Sequence, residues 1–393
     1  MRRFLTLGLA ALLGMSVFAP AAGAQSAEAD CRNLPTTPST SGWTDYAQLE
    51  KELDRIERTS RGRVEVSSIG QTQLGHEIYA ARVGSGDQVL LVTAEIHGNE
   101  KTGPEALLSL LKTLGSSGNP QVQAWLEDVT LVAIPKFNVD GAERNQRQNV
   151  FPWADVVEQF PQLEGAAPAW NYNARIGGFD VNRDFNPDLD YEPRAEDLPG
   201  GNLEPGFYLT NEARALRDLY VELRDEFGHV EAYVDLHHMG PCNQVDGDGQ
   251  YVSVALDYPP LGPDDSDKYD AWPALDQERS RRYALAAAEG MFDKAGNGNG
   301  QSSPFFGGVT RYLHPEWRDL PGQARSSFAL NGTSTVLFEV RGQQQAWGQK
   351  QKGMLTAVVE AGLVGIVERM ADGSIEQMDG DDFYELPTYG WDQ

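Results

Sequence analysis

Cysteine is nearly missing from this chain of 393 residues: only Cys31 and Cys242 occur, which allows one disulfide at most. Positive charge is also scarce. Lysine and arginine together number 32 against 58 aspartates and glutamates, giving a formal net charge of −26. Such a surface excludes nucleic acid as a partner, because phosphate binding needs a basic patch. Lysine is rare even beside arginine, a composition that suits a saline habitat or simple solubility outside the cytoplasm. Beyond the N-terminus no stretch is long and apolar enough to span a bilayer, and no internal repeat is visible. Histidine is limited to six: His76, His97, His229, His237, His238 and His314.

The N-terminus has the layout of a secretory signal. Arg2-Arg3 precede an apolar run from Phe4 to Phe18, and Ala22-Gly23-Ala24 offers a small-residue cleavage site. An exported protein, periplasmic or secreted, is expected. Residues 25–42 are rich in Ser, Thr and Pro and read as a linker too short for a folded propeptide. Export would permit a Cys31–Cys242 pair; Cys242 as a nucleophile is the weaker reading.

From residue 43 onward, apolar periodicities alternate between strand and helix. Helices are predicted over Thr44–Thr59, Pro104–Leu114, Asn211–Phe227, Asp276–Ala295 and Gln351–Met370. Strands are predicted over Val64–Ile69, Glu77–Val83, Gln88–Ile96, Val129–Ile134, Val230–Leu236 and Ser334–Val340. Residues 138–141 are expected to form a loop, 148–174 and 187–206 to be irregular, and 240–275 to be a long excursion. The implied fold is α/β, a three-layer α/β/α arrangement around a mixed, mostly parallel sheet. It comprises a single catalytic domain over 43–370 and an acidic tail over 371–393, expected to be peripheral unless its aromatics Phe383, Tyr384, Tyr389 and Trp391 pack on the body.

Polar motifs follow the apolar runs. His97-Gly98-Asn99-Glu100 comes directly after the strand ending at Ile96, so an imidazole and a carboxylate three residues apart can converge on one ion. His237 closes another apolar run. Two imidazoles and a carboxylate form a catalytic zinc ligand set with one position open. His238 is the alternative to His237, but alternation along Asp235-Leu236-His237 sets Asp235 and His237 on one face. In Asp180-Val181-Asn182-Arg183, the Asn-Arg pair can bind a carboxylate, and Asp180 can accept a hydrogen bond from the far nitrogen of a ligating imidazole. Glu339 stands within the apolar strand Val336–Val340, either as a general base or as the partner of Arg341 on the same face.

Taken in order, these motifs resemble the zinc carboxypeptidase family, from about Tyr46 to about Arg369. The Gly-containing turn Ile69–Gly75, His97 with Glu100, Asn138-Val139-Asp140-Gly141, Asp180 with Asn182 and Arg183, His237, and Phe338-Glu339 carry the likeness. The resemblance implies one Zn²⁺ per chain on His97, Glu100 and His237. It implies Glu339 as the base acting on water, and Asn182 and Arg183 on the substrate's terminal carboxylate. A further arginine would serve the oxyanion; Arg175 is favoured for its nearness to Asn182, with Arg147 second and Arg144 also in range. The family's substrate-closing tyrosine has no clear match: Tyr312 and Trp317 are the nearest, and Tyr312 reads better as an ordinary loop aromatic. Asn99 replaces the arginine that precedes the metal glutamate in pancreatic-type enzymes, a form similar to amino-acid deacylases. Export makes a peptide the expected substrate, with N-acyl amino acids or murein peptides as the alternative. A binding module that has lost catalysis is the third reading, opposed by the full set of four key residues. Arg325 is a candidate for favouring acidic side chains, although a surface role is the simpler expectation. Neither the oligomeric state nor the preferred side chain can be read from the sequence.

Overall fold

A computed structural model describes residues 40–262, 267–295, 307–312, 318–342 and 348–391. The expected signal segment, most of the linker, Cys31 and Trp317 lie outside the described residues. In chain order the helices are α1 Tyr46–Thr59, α2 Thr102–Ser116, α3 Pro120–Asp128, α4 Val139–Glu143, α5 Trp153–Gln159, α6 Asn211–Phe227, α7 Gln277–Ala295, α8 Ala324–Leu330 and α9 Gly348–Ala371. The strands begin with β1 Val64–Gln71, β2 Glu77–Val83, β3 Gln88–Ala94, β4 Val129–Ile134, β5 Tyr172–Asn173 and β6 Gly178–Phe179. They continue with β7 Ala232–Met239, β8 Asn243–Val245, β9 Val252–Asp257, β10 Gly308–Arg311, β11 Ser334–Arg341 and β12 Tyr389–Trp391.

Eight strands form the central sheet in the order β1-β2-β4-β3-β7-β11-β9-β10. Its middle, β4-β3-β7-β11, is parallel, whereas β1, β2 and β9 make antiparallel pairings at the flanks. The parallel strands are apolar on both faces: β4 is buried throughout and β3 at every residue after Gln88. One face packs on α1, α2, α3, α7 and α9, and the other on α6 and α8, so two apolar cores enclose the sheet. This is the three-layer fold expected. No described helix is long and apolar enough to cross a membrane.

Local chemistry sets the element ends. Asp45 caps α1 and forms a reciprocal capping box with Gln48, while Leu49, Leu53 and Ile56 form its buried stripe. Thr210 caps α6, and Gly228, at φ +82°, closes it in the left-handed conformation.

The structure differs from the sequence expectation in several places. Residues 139–143 form a short helix capped by Asn138, whose Oδ1 accepts from Gly141 N, rather than a loop. The irregular 148–174 stretch holds α5. The 240–275 excursion contributes β9, a fully buried strand of the main sheet between β11 and β10. The acidic tail is not peripheral: Ile375, Phe383 and Leu386 join the core, and β12 pairs with β8.

Candidate metal and substrate site

The site lies where the parallel strands end. β3, β7 and β11 are neighbours pointing the same way, so His97 (past β3), His237 (in β7) and Glu339 (in β11) reach one rim of the sheet. The register sets Glu339 directly beside His237. β7 continues through Met239, so His237 and His238 belong to the strand rather than following it. Their faces are opposite. His237 joins Asp235 on the side of the ligands, whereas His238 Nε2 accepts from Thr102 N of α2 at 3.0 Å. Burial pushes the His238 imidazole down to about 4, which keeps it a neutral acceptor.

The turn that presents His97 is built on buried charge. Glu95 adopts a left-handed φ of +60° at zero exposure. Its carboxylate is held by Lys101 Nζ at 2.7 Å and Lys136 Nζ at 2.8 Å. Gly98 passes so close to the α4 turn that a Cβ would lie 2.2 Å from the Gly141 carbonyl carbon, hence the Gly between His97 and Asn99. Asp140 gathers Thr72 Oγ1, Leu74 N and His76 Nδ1, tying the β1–β2 turn to this region. Glu95, Lys101 and Lys136 are supporting residues that the sequence reading missed. A charge at the end of each apolar run was the available signal.

His97, Glu100 and His237 converge so that a ligand atom of each lies within 4.8 Å of the others. His97 Nδ1 lies 2.9 Å from Glu100 Oε1, and His237 Nδ1 lies 2.9 Å from Glu100 Oε2 and 3.0 Å from His97 Nδ1. The opposite ring nitrogens are anchored by carboxylates. His97 Nε2 donates to Asp180 Oδ1 at 3.1 Å, and His237 Nε2 to Asp235 Oδ2 at 2.8 Å. Those bonds place the protons on Nε2 and turn both Nδ1 lone pairs toward the Glu100 oxygens. Four lone-pair atoms facing one another need positive charge between them. Zinc fits: ligands at its usual ~2.0–2.2 Å lie about 3.4 Å apart in a tetrahedron, within about half an ångström of the separations here. The electrostatics agree. Burial opposes charge on Glu100, yet the two imidazoles hold its carboxyl well below the usual range. Burial likewise opposes charge on His237, yet Asp235 and Glu100 raise it to about 10. A cluster that attracts a proton this strongly attracts a cation.

A cavity of about 340 Å³ opens over these ligands, with Arg147, Asn182, Arg183, Tyr312, Arg318, Arg325, Glu339 and Tyr389 in its wall. Burial raises the Glu339 carboxyl, and the charge of Glu100 adds to the rise. Arg341 does not serve as its partner; its Nε donates to Pro241 O and its guanidinium stacks 3.9 Å from the Tyr251 ring centroid.

The arginine favoured from the sequence does not reach the cavity. Arg175 is exposed in the turn after β5, and Arg144 is exposed as well. Arg147 is the one that does: its Nε and Nη2 bond Asp180 Oδ2 at 3.1 and 2.9 Å, and its Nη1 lies 3.1 Å from His97 Nδ1. Closeness in sequence to Asn182 misled, because β5 and β6 form a hairpin that carries Arg175 outward. Asn182 lines the cavity, but its amide is engaged: Nδ2 lies 3.1 Å from Asp235 Oδ2 and Oδ1 accepts from Ala324 N at 3.0 Å. Arg325 is not a surface residue. It is 1% exposed and bonds Asp257 at 3.0 Å. Tyr312, expected as an ordinary loop aromatic, faces the cavity near Glu339. Cys242 is disulfide-bonded.

Comparison with known proteins identifies the class. Residues 49–245, half of the chain, match the zinc carboxypeptidase (peptidase M14) family, and the protein belongs to it. Human carboxypeptidase Z is 29% identical over 187 residues, 43% of this chain and 25% of that protein. The chain thus spans about a quarter of that curated relative. Bovine thrombin-activatable fibrinolysis inhibitor, solved with tick carboxypeptidase inhibitor, superposes with a TM-score of 0.55 at 15% identity, covering 84% of this chain and 98% of that one. Carboxypeptidase A from Helicoverpa armigera gives 0.54 at 14% identity, over 84% and 74%. These two likenesses establish the shared fold.

Proposed function

We propose that the protein is an exported zinc metallocarboxypeptidase that hydrolyses the C-terminal peptide bond of peptides. One observation carries this reading: His97, Glu100, His237 and Glu339, scattered over the chain, line one cavity together with Arg183. Residues 43–370 would form the catalytic domain, with the tail packed onto it. Export rests on the signal-like N-terminus.

His97, Glu100 and His237 would hold the zinc. When bound, zinc supplies Lewis-acid polarisation of the scissile carbonyl and acidifies water. Glu339 takes the proton from the attacking water and returns it to the leaving amine, a role suited to its raised affinity for protons. Arg147, held by Asp180 with Nη1 toward the ligands, stabilises the developing oxyanion. We assign Arg147 this role in place of Arg175. Arg183 binds the terminal carboxylate, while Asn182 chiefly braces Asp235, the carboxylate that holds His237.

Glu339→Gln tests the base. The zinc-loaded variant should keep its metal but lose about 10²–10⁴ in kcat on free-carboxyl peptides. Parental turnover by the variant would refute the assignment. If the parent enzyme releases acids only from N-acyl amino acids and leaves peptides intact, it is a deacylase instead.

A further inference from the structure

Four guanidinium groups enter the cavity of a chain whose net charge is −26: Arg147, Arg183, Arg318 and Arg325. Two are matched. Arg147 pairs with Asp180 at 2.9 Å and Arg325 with Asp257 at 3.0 Å. The other two meet no carboxylate within salt-bridge distance among the described residues. Arg183 Nη1 donates to the Asn182 carbonyl at 2.7 Å. Arg318 sits over the Tyr312 ring at 5.6 Å from its centroid. Burial acts first to lower the Arg183 guanidinium; the charge of Asp180, already paired with Arg147, opposes this, and the charges of Arg147, Arg318 and Arg325 add to the lowering.

Two unmatched, partly desolvated cations in one small cavity repel each other, and the acids that could neutralise them are committed elsewhere. Glu100 belongs to the ligand cluster, and Glu339 is the base beside it. Two guanidinium groups are therefore left without a carboxylate in direct contact among the described residues, and an ordinary C-terminal residue brings a carboxylate for one of them.

We propose that the cavity selects peptides whose C-terminal residue carries a second carboxylate, with Arg318 as the specificity-determining residue for that side-chain acid. This rests on the carboxypeptidase reading above. Arg183 takes the backbone carboxylate. Arg318, at the cavity wall, takes the side-chain carboxylate through charge-assisted hydrogen bonds, with the Tyr312 ring as its support. The paired Arg325 sits deeper and adds positive potential without a free charge.

The experiment compares N-acyl dipeptides ending in Glu, Gln, Leu and Lys, with the zinc-loaded full chain and its Arg318→Gln and Arg318→Glu variants. Glu and Gln differ only in the charge at issue. The parent should favour Glu over Gln in kcat/KM by about thirtyfold, the worth of one charge-assisted bond. Arg318→Gln should bring that ratio close to one, and Arg318→Glu should invert it while raising the relative rate on Lys. Equal rates on Glu and Gln by the parent, or a ratio unmoved in both variants, would overturn the inference while leaving the carboxypeptidase intact. No C-terminal release from any peptide would remove the carboxypeptidase reading and the inference together.

Discussion

Glu212 is a buried acid whose ionisation the fold resists, and replacing it with Gln should stabilise the protein in a pH-dependent way. Its side chain lies in the first turn of α6 with no exposure. Oε2 accepts from Asn149 Nδ2 at 2.9 Å, while Oε1 has no hydrogen-bond partner. Burial, reinforced by the negative charges of Asp140 and Asp184, raises its carboxyl to about 7 from an ordinary 4.5; the Asn149 bond and the helix-end amides only partly oppose this. Between those two values the folded state binds more protons than the unfolded chain, so stability falls as pH rises through that window. The contribution is fully present below pH 4.5 and lost above about 7. At ~1.4 kcal/mol per unit, the whole loss is about 3 kcal/mol. Gln mimics the protonated acid and its carbonyl can still accept from Asn149. Glu212→Gln should thus match the parent near pH 4.5 and exceed it by up to about 3 kcal/mol at pH 8. Urea unfolding of zinc-saturated protein across pH 4.5–8.5 would measure this. A difference between variant and parent that stays constant with pH, or a variant less stable at pH 8, would refute the assignment of a protonated Glu212.

The metal centre makes two more predictions. Chelation should abolish peptidase activity and lower Tm, because the lone pairs of His97, Glu100 and His237 would face one another without an ion; zinc should restore both, and magnesium neither. Unchanged Tm and activity after complete metal removal would exclude a resident ion. Asp235→Asn should weaken zinc binding by about 10–100-fold, since the carboxylate fixes the His237 tautomer. Competition against a chromophoric chelator would measure it, and an unaltered Kd would show that Asp235 does not orient His237.

The legible parts of the sequence share a property: each is fixed by local pattern. The strand over Val129–Ile134 and the helix over Asn211–Phe227 match the structure to the residue, because unbroken burial and a Thr210 cap leave their marks in order. The His97–Glu100 spacing and the shared face of Asp235 and His237 were readable for the same reason. The strand over Val252–Asp257 was not. Its six residues stand between Gly-rich and Pro-rich segments that resemble a loop, and its place in the sheet depends on pairing with Ser334–Arg341, far along the chain. Arg147 and Arg175 show the same limit at the site. Arg175 is the nearer to Asn182 in sequence, yet the hairpin of β5 and β6 carries it outward while Arg147 turns inward.

That limit explains why the proposed ligands were easier to bring together from the sequence than the groups around them. Metal ligands must sit at strand ends on a parallel sheet, so the strand pattern that builds the fold also marks them. The cavity wall obeys no such rule. Tyr312 and Arg318 come from the connection after β10 and Tyr389 from β12 in the tail, brought together by the outer strands. Their contribution is charge and shape rather than coordination, and many residue types can supply that from many chain positions. Selectivity among C-terminal residues should therefore be altered by changing these wall residues while β3, β7 and β11, which position the proposed ligands and base, are left unchanged.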